Sequence, residues 1–377
     1  MQTDIKNWIE NHFDEQFELL KTLAAIPAPS GSEDARVAFL VELLDKYGYE
    51  CRVDEAKNVI VPFFDGTPCG ITCYCAHTDI VFPDTEPLPV RIEGDRMYAP
   101  GVGDNTADIV AMLMMLRFIR ESGLRPKNPV IFVFNSCEEG LGNLKGIRQI
   151  MQAHSGRIKE VVSFDCNLGD GLFTTAVGSE RWSVTASTVG GHSFSAFGNP
   201  SAIHHMSKFV TALYAQKLPP FAGRTTYNAG VISGGTSVNT IAQRCEMLYE
   251  YRSDSAEALS YMHESFKALL CEANCEEARF DAELIGERPC GGDVDEDAFA
   301  ALVDRCGEAI KAVTGEYPKT VMGSTDANIP LSLGVPALAF GLLNGGGAHT
   351  REEWLDIPSL KTGLEVAFRL VIGAHFE

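Results

Sequence analysis

At 377 residues the chain is long enough for a sizeable core and for more than one domain. Its formal charge of −20 argues against nucleic acid as a partner, because phosphate binding needs clustered Lys and Arg. Hydrophobic residues make up 45% of the chain but come in short runs; the longest, 333–343, is interrupted by Gly334, Pro336 and Gly341 and is too short to cross a bilayer.

The first residues, Met1-Gln2-Thr3-Asp4-Ile5-Lys6-Asn7-Trp8, lack the basic and then apolar pattern of a secretion signal and read as the start of an amphipathic helix. Helices are expected over 4–25 and 33–48, the second opened by Ser30-Gly31-Ser32-Glu33, a capping-box pattern. Strands and helices then alternate to about residue 178, with a strand ending at Ala76, a helix across Thr106 to Arg120 and a strand from Val130 to Asn135. This alternation predicts a largely parallel sheet covered on both faces.

From 179 to 288 the rhythm changes to βαββαβ, the ferredoxin-like order. The strands are expected at 181–189, 226–232, 245–252 and 278–284, and the helices at 200–216 and 256–271. Strand–helix alternation resumes near 290. The expected fold is therefore α/β: a mostly parallel, helix-flanked sheet from 1–178 and 289–377, with an α+β ferredoxin-like domain inserted over 179–288. The eleven cysteines show no framework spacing, which points to the reduced cytosol. Cys73-x-Cys75 and Cys271-x-x-x-Cys275 lack partner pairs and read as packing or solvent-side thiols rather than metal sites.

Acidic and histidine residues follow several of the strand-like runs. His77-Thr78-Asp79 closes one run, Glu138-Glu139 lies just beyond the next, Asp165 ends a third, and His349 follows a fourth and a glycine run. Ligands of open α/β sheets bind at the carboxyl ends of the strands, so four strands deliver metal-ligand chemistry to one edge. Gly101-Val102-Gly103-Asp104-Asn105 adds a carboxylate at a loop-to-helix junction. Each motif alone has an ordinary reading: Asp104 as a helix cap, Glu138-Glu139 as a solvated pair, His349 as a loop histidine. Together, two histidines and three carboxylates form a nitrogen and oxygen donor set suited to zinc, cobalt or manganese. Paired carboxylates beside such ions can divide labour, one ligating and one acting as general base.

With these motifs in order, the whole chain resembles the zinc-dependent exopeptidase family. That family contains aminoacylases, glutamate carboxypeptidase, acetylornithine and succinyl-diaminopimelate deacylases, and peptidase T-like enzymes. The resemblance implies two divalent ions, zinc foremost with cobalt or manganese as alternatives. His77, Asp104 and Asp165 would hold one ion, and Asp104, Glu139 and His349 the other, with Asp104 bridging. Asp79 would orient His77 and Glu138 would be the general base. Within the inserted domain, Gly190-Gly191-His192-Ser193 resembles the family's lid histidine motif, implying oxyanion stabilisation by His192. Gly234-Gly235-Thr236-Ser237-Val238-Asn239 and Arg252 resemble the segment that binds a substrate carboxylate.

Gly323-Ser324-Thr325-Asp326-Ala327 resembles a further loop near the family's active site, while His204-His205 reads as a polar helix face. The chain departs from many members in reading Asp104-Asn105-Thr106 where they carry a lysine two residues after the bridging aspartate. The resemblance also implies a lid and dimerisation role for the inserted domain, and hence a homodimer. The expected activity is hydrolysis of di- or tripeptides by metal-activated water. The alternatives are deacylation of N-acyl amino acids and a non-catalytic binding relative. No nucleic-acid or membrane partner is expected, and the cytoplasm is the expected location.

Overall fold

The computed structural model describes residues 2–377; Met1, with which the expected first helix opens, lies outside them. Helices α1 (Gln2–Ala24) and α2 (Asp34–Lys46) lead into strands β1 (Arg52–Val53), β2 (Val59–Pro62) and β3 (Ile71–His77). A short antiparallel pair, β4 (Arg91–Glu93) and β5 (Arg96–Tyr98), precedes α3 (Ala107–Glu121), β6 (Val130–Asn135) and α4 (Lys145–Ala153). Strands β7 (Ile158–Phe164) and β8 (Leu172–Ala176) follow. Next come β9 (Gly178–Ser187), β10 (Gly191–His192), α5 (Ala202–Ala215), β11 (Thr225–Gly234) and β12 (Thr240–Ile241). Then β13 (Arg244–Ser253), α6 (Ala256–Ala273) and β14 (Arg279–Arg288) complete that region. The last part holds α7 (Glu296–Thr314), β15 (Thr320–Gly323), α8 (Asn328–Ser332), β16 (Ala337–Phe340), β17 (Gly345–Gly346), β18 (Trp354–Asp356) and α9 (Ser359–His375).

The chain divides into two compact units, one running to Ala176 and resuming at Gly292, the other Val177–Gly291. In the first unit eight strands form a mixed sheet in the order β1-β2-β6-β3-β7-β16-β8-β15. Its centre, β6-β3-β7-β16, is parallel. Strands β3 and β6 are buried at every residue, and β7 at all but Lys159. That accounts for their unbroken apolar sequences, since a strand covered on both faces has no reason to alternate. Helix α3 is buried nearly all round, including Met112, Met114 and Met115, as expected of an inner helix. The register pairs His77 with Asn135 and Phe164 with Phe340, so the chain leaves four neighbouring strands at one edge.

One local expectation fails. Ser30 and Glu33 do not form a capping box at the head of α2; Glu33 has no side-chain capping bond. Its Oε1 instead accepts the N–H groups of Gly31 (2.7 Å) and Cys137 (3.1 Å), and the Ser30 hydroxyl donates to Asp79 at 2.6 Å. Long-range acceptors beside the sheet edge outcompete the local motif.

The opposite end of the same sheet carries a buried histidine. His375, at the end of α9, lies edge-on to Tyr74, with ring centroids 5.7 Å apart. Burial holds it down at about 4; Glu160 opposes this, while Arg305, Lys159 and Lys127 reinforce it. An unfolded imidazole titrates near pH 6.5, so between about 6.5 and 4 the unfolded chain binds the extra proton. Stability should therefore fall as pH drops through that window and level off below it, by roughly 3 kcal/mol in total. Denaturant midpoints of metal-free wild-type and His375→Leu protein, compared from pH 7 to 4, isolate this term. A stability difference that stays constant with pH would mean His375 is not held neutral.

The second unit has a four-stranded antiparallel sheet in the order β11-β13-β9-β14, with a separate β10–β12 pair. Helices α5 and α6 pack on its core through Phe209 and Phe266. This is the ferredoxin-like arrangement. All eleven cysteines are free thiols. Among the described residues no helix is long and apolar enough to cross a membrane.

Candidate metal centre

The strand ends place the candidate ligands one by one. His77 is the last residue of β3, Asp165 follows β7, and Glu139 lies four residues beyond β6. His349 comes from the loop between β17 and β18, and Asp104 from the turn before α3. Asp104 stands between the two histidines. Its Oδ1 is 3.0 Å from His77 Nε2, and its Oδ2 is 3.2 Å from His349 Nε2. His77 Nε2 also lies 3.8 Å from Asp165 Oδ1, and His349 Nε2 lies 3.0 Å from Glu139 Oε1. Donors bound about 2.0–2.1 Å from a shared tetrahedral ion stand roughly 3.3 Å apart, and the observed separations fall on either side of that value. His77, Asp104 and Glu139 each offer a ligand atom within 4.8 Å of the others.

Electrostatics agree with the geometry. Bonds to Asp104 and Glu139 push His349 up to about 10. Burial opposes protonation of His77, yet Asp104, Asp165 and Asp79 push it well above the ordinary imidazole range. Burial raises Glu139, and would raise Asp104, but the two histidines hold Asp104 well below the usual carboxylate range. Both rings thus sit where positive charge is strongly favoured at Nε2. Buried carboxylates at this density need cationic partners. Two imidazoles and three carboxylates in this arrangement fit a pair of divalent cations.

The supporting contacts fix the donors. His77 Nδ1 faces the Asp79 carbonyl oxygen at 3.1 Å and Asp79 Oδ1 at 3.5 Å, which assigns its proton to Nδ1 and turns the Nε2 lone pair inward. The Asp79 carboxylate also accepts the N–H groups of Glu138 and Glu139, each at 2.9 Å. One residue therefore orients the histidine and the backbone of both glutamates. His349 has a left-handed backbone, φ 63°, a conformation that costs a non-glycine residue about 1–2 kcal/mol. Such a residue persists only where its surroundings over-determine it. A cavity of about 130 Å³ adjoins Asp104, walled in part by Cys166, Asn167, Asp170, Gly345 and Trp354.

Within the second unit, His192 and Asn239 are neighbours. His192 pairs with Thr240 in the β10–β12 ladder, and Ser193 N–H donates to the Asn239 carbonyl at 3.0 Å. The His192 Nδ1 accepts the Phe194 N–H at 3.2 Å. Arg252 makes an ion pair with Glu250 at 3.0 Å. Both Arg252 and Arg288 pair with Ser179 in the sheet, and Arg181 lies two residues further along, so the three arginines share one face.

Several residues outside the candidate set brace these groups, and Arg36, Asn135 and Asp108 lie in none of the motifs. Arg36 is fully buried and donates to the Thr78 carbonyl at 3.0 Å, bracing the turn after His77. Asn135 donates to Asp326 at 2.7 Å, and burial pushes that carboxyl up to about 7. Asn105 donates to the Phe164 carbonyl (2.7 Å), and Asp108 accepts the Leu342 N–H (2.7 Å), tying the Asp104 turn to the ends of β7 and β16. Asp108 had one available signal, a lone acid at the head of an apolar helix.

The model of peptidase family M20/M25/M40 matches residues 73–372, and the chain belongs to that family. It is 26% identical to acetylornithine deacetylase of Myxococcus xanthus over 354 residues, covering 88% of this chain and 87% of the relative. Among solved structures it resembles a Staphylococcus aureus tripeptidase, with a TM-score of 0.75, 21% identity, and 95% and 97% of the two chains covered. It also resembles the Bacillus subtilis protein YXEP, described as a dinuclear metal-binding M20 peptidase. There the TM-score is 0.61, the identity 16%, and the coverage 97% and 99%. At these identities the two structures establish the shared fold.

Proposed function

We propose that this chain is a dinuclear metal-dependent exopeptidase that hydrolyses the amide bond of di- and tripeptides. The observation that carries the reading is the split of the Asp104 carboxylate, one oxygen toward His77 and the other toward His349. His77, Asp104 and Asp165 would hold one ion, and Asp104, Glu139 and His349 the other. Zinc is favoured by the imidazole and carboxylate donors, with cobalt or manganese as substitutes. The chemistry such a pair supplies is acidification of water and polarisation of the amide carbonyl.

The protein's own groups complete the reaction. Glu138 takes the proton from the attacking water and returns it to the leaving amine nitrogen, giving a carboxylic acid and an amine. Asp79 keeps His77 in one tautomer and holds the 138–139 backbone. On the family resemblance, His192 stabilises the oxyanion that develops, and Asn239 and Arg252 take a substrate carboxylate. The arginines that share a face with Arg252 support that assignment.

Strand β11 is a sheet edge whose Val231 and Ile232 are about half exposed, and Phe194 and Phe197 are almost fully exposed. Exposed apolar edges are usually covered, which supports a homodimer through the second unit. Free thiols throughout support a reducing compartment such as the cytoplasm.

The second reading, a deacylase of N-acyl amino acids, is favoured by the similarity to acetylornithine deacetylase. Amine release from dipeptides, tripeptides and N-acyl amino acids, on zinc-loaded protein with chelator controls, separates the two. Cleavage of free-amine peptides is expected. Turnover confined to N-acyl amino acids would replace the peptidase reading with the deacylase one.

A further inference from the structure

Glu353 lies four residues beyond His349 and is only 2% exposed. Its carboxylate accepts three backbone N–H groups of the turn that carries Asp104. Oε1 receives those of Gly103 and Asp104, both at 2.8 Å, and Oε2 receives that of Gly101 at 2.9 Å. The Glu353 carbonyl adds a fourth, from Ala99 at 3.2 Å. A single residue of the His349 loop therefore grips segment 99–104 from end to end.

That turn is not fixed by regular structure. Asp104 has φ −109° and ψ 88°, outside the helical range, and the residue after it departs likewise. Gly101 is left-handed, and a Cβ there would lie 2.3 Å from the Ile80 side chain. A Cβ at Gly103 would lie 3.3 Å from Glu353 Oε1, close enough that the carboxylate would have to shift by a few tenths of an ångström. Three converging N–H groups at a non-helical turn need an acceptor, and an ionised carboxylate makes the strongest kind of bond to them.

We propose that Glu353 is a positioning residue for the cation pair. By holding the 101–104 backbone it sets where the Asp104 carboxylate lies between His77 and His349, and it couples the Asp104 turn to the loop bearing His349. This rests on the reading of Asp104 as the shared ligand. Its carboxylate bonds the backbone of the Asp104 turn, and the role assigned to it is exerted through that backbone. Contacts of this kind behind a metal ligand change affinity by about 10–100-fold.

The test is zinc affinity, measured by competition with a chelating dye on full-length Glu353→Ala, Glu353→Gln and Glu352→Ala, with melting of the zinc-free proteins in parallel. Glu352 is exposed and pairs with Arg91, so its variant should behave as wild type. Glu353→Ala should bind both zinc ions about 10–100-fold more weakly while still melting cooperatively. In Glu353→Gln one oxygen still accepts, but at least one N–H of the turn faces an NH2 group, so its loss should be smaller yet measurable. Wild-type zinc affinity in a folded Glu353→Ala overturns the proposal. If that variant does not fold, wild-type affinity in Glu353→Gln overturns it. Wild-type protein that binds no zinc would instead sink the metal-centre reading itself.

Discussion

Replacing Glu138 with alanine is expected to leave both ions bound and to lower kcat about 10²–10⁴-fold, with little change in KM. The local geometry explains why binding and turnover should separate. Glu138 and Glu139 are held through their backbone N–H groups by the two oxygens of Asp79, at 2.9 Å each. Truncating the Glu138 side chain leaves both bonds in place, so Glu139 keeps its 3.0 Å approach to His349. What is lost is the carboxylate of a buried residue, one that can accept a proton and return it. Bound zinc and initial rates measured on the same preparation check this. Near-wild-type turnover in the zinc-loaded variant would remove Glu138 from the proton-transfer role.

Asp104→Ala is expected to have the wider effect, emptying both cation positions, whereas His349→Ala and Asp165→Ala should each weaken one. The asymmetry follows from Asp104 facing both histidines, with one oxygen toward each. Changes behind a metal ligand cost about 10–100-fold in affinity, so removing a shared ligand should exceed about 100-fold at both positions. Zinc stoichiometry by elemental analysis after gel filtration distinguishes the cases. One ion retained by Asp104→Ala would show that the carboxylate serves a single ion.

Much of this arrangement can be read from the sequence because it depends on strand ends. Buried parallel strands are written as short apolar runs, and the first polar residues after them must emerge at the sheet edge. His77, Glu138-Glu139 and Asp165 are legible for that reason. The inserted unit is legible because its helices and its four ten-residue strands are separated by clear punctuation. The contacts that brace the site are another matter. Glu353 reaches back 249–252 residues to its partners, and Arg36 bridges 42 residues to Thr78. No periodicity records such pairings. The Ser30–Glu33 segment shows the converse, a local pattern overridden by distant acceptors and donors at residues 79 and 137. The short strands β4, β5, β17 and β18 are likewise too brief to carry alternation, yet β5 and β18 pair and bring Glu353 beside the Asp104 turn.

The most direct measurement is dipeptide cleavage followed during stepwise zinc reloading of chelator-treated protein, with bound zinc counted at each step. The account predicts no cleavage without metal and a rate that reaches its plateau at two zinc ions per chain. Cleavage that survives complete metal removal, or a full rate with no zinc at the Asp104 position, would contradict it.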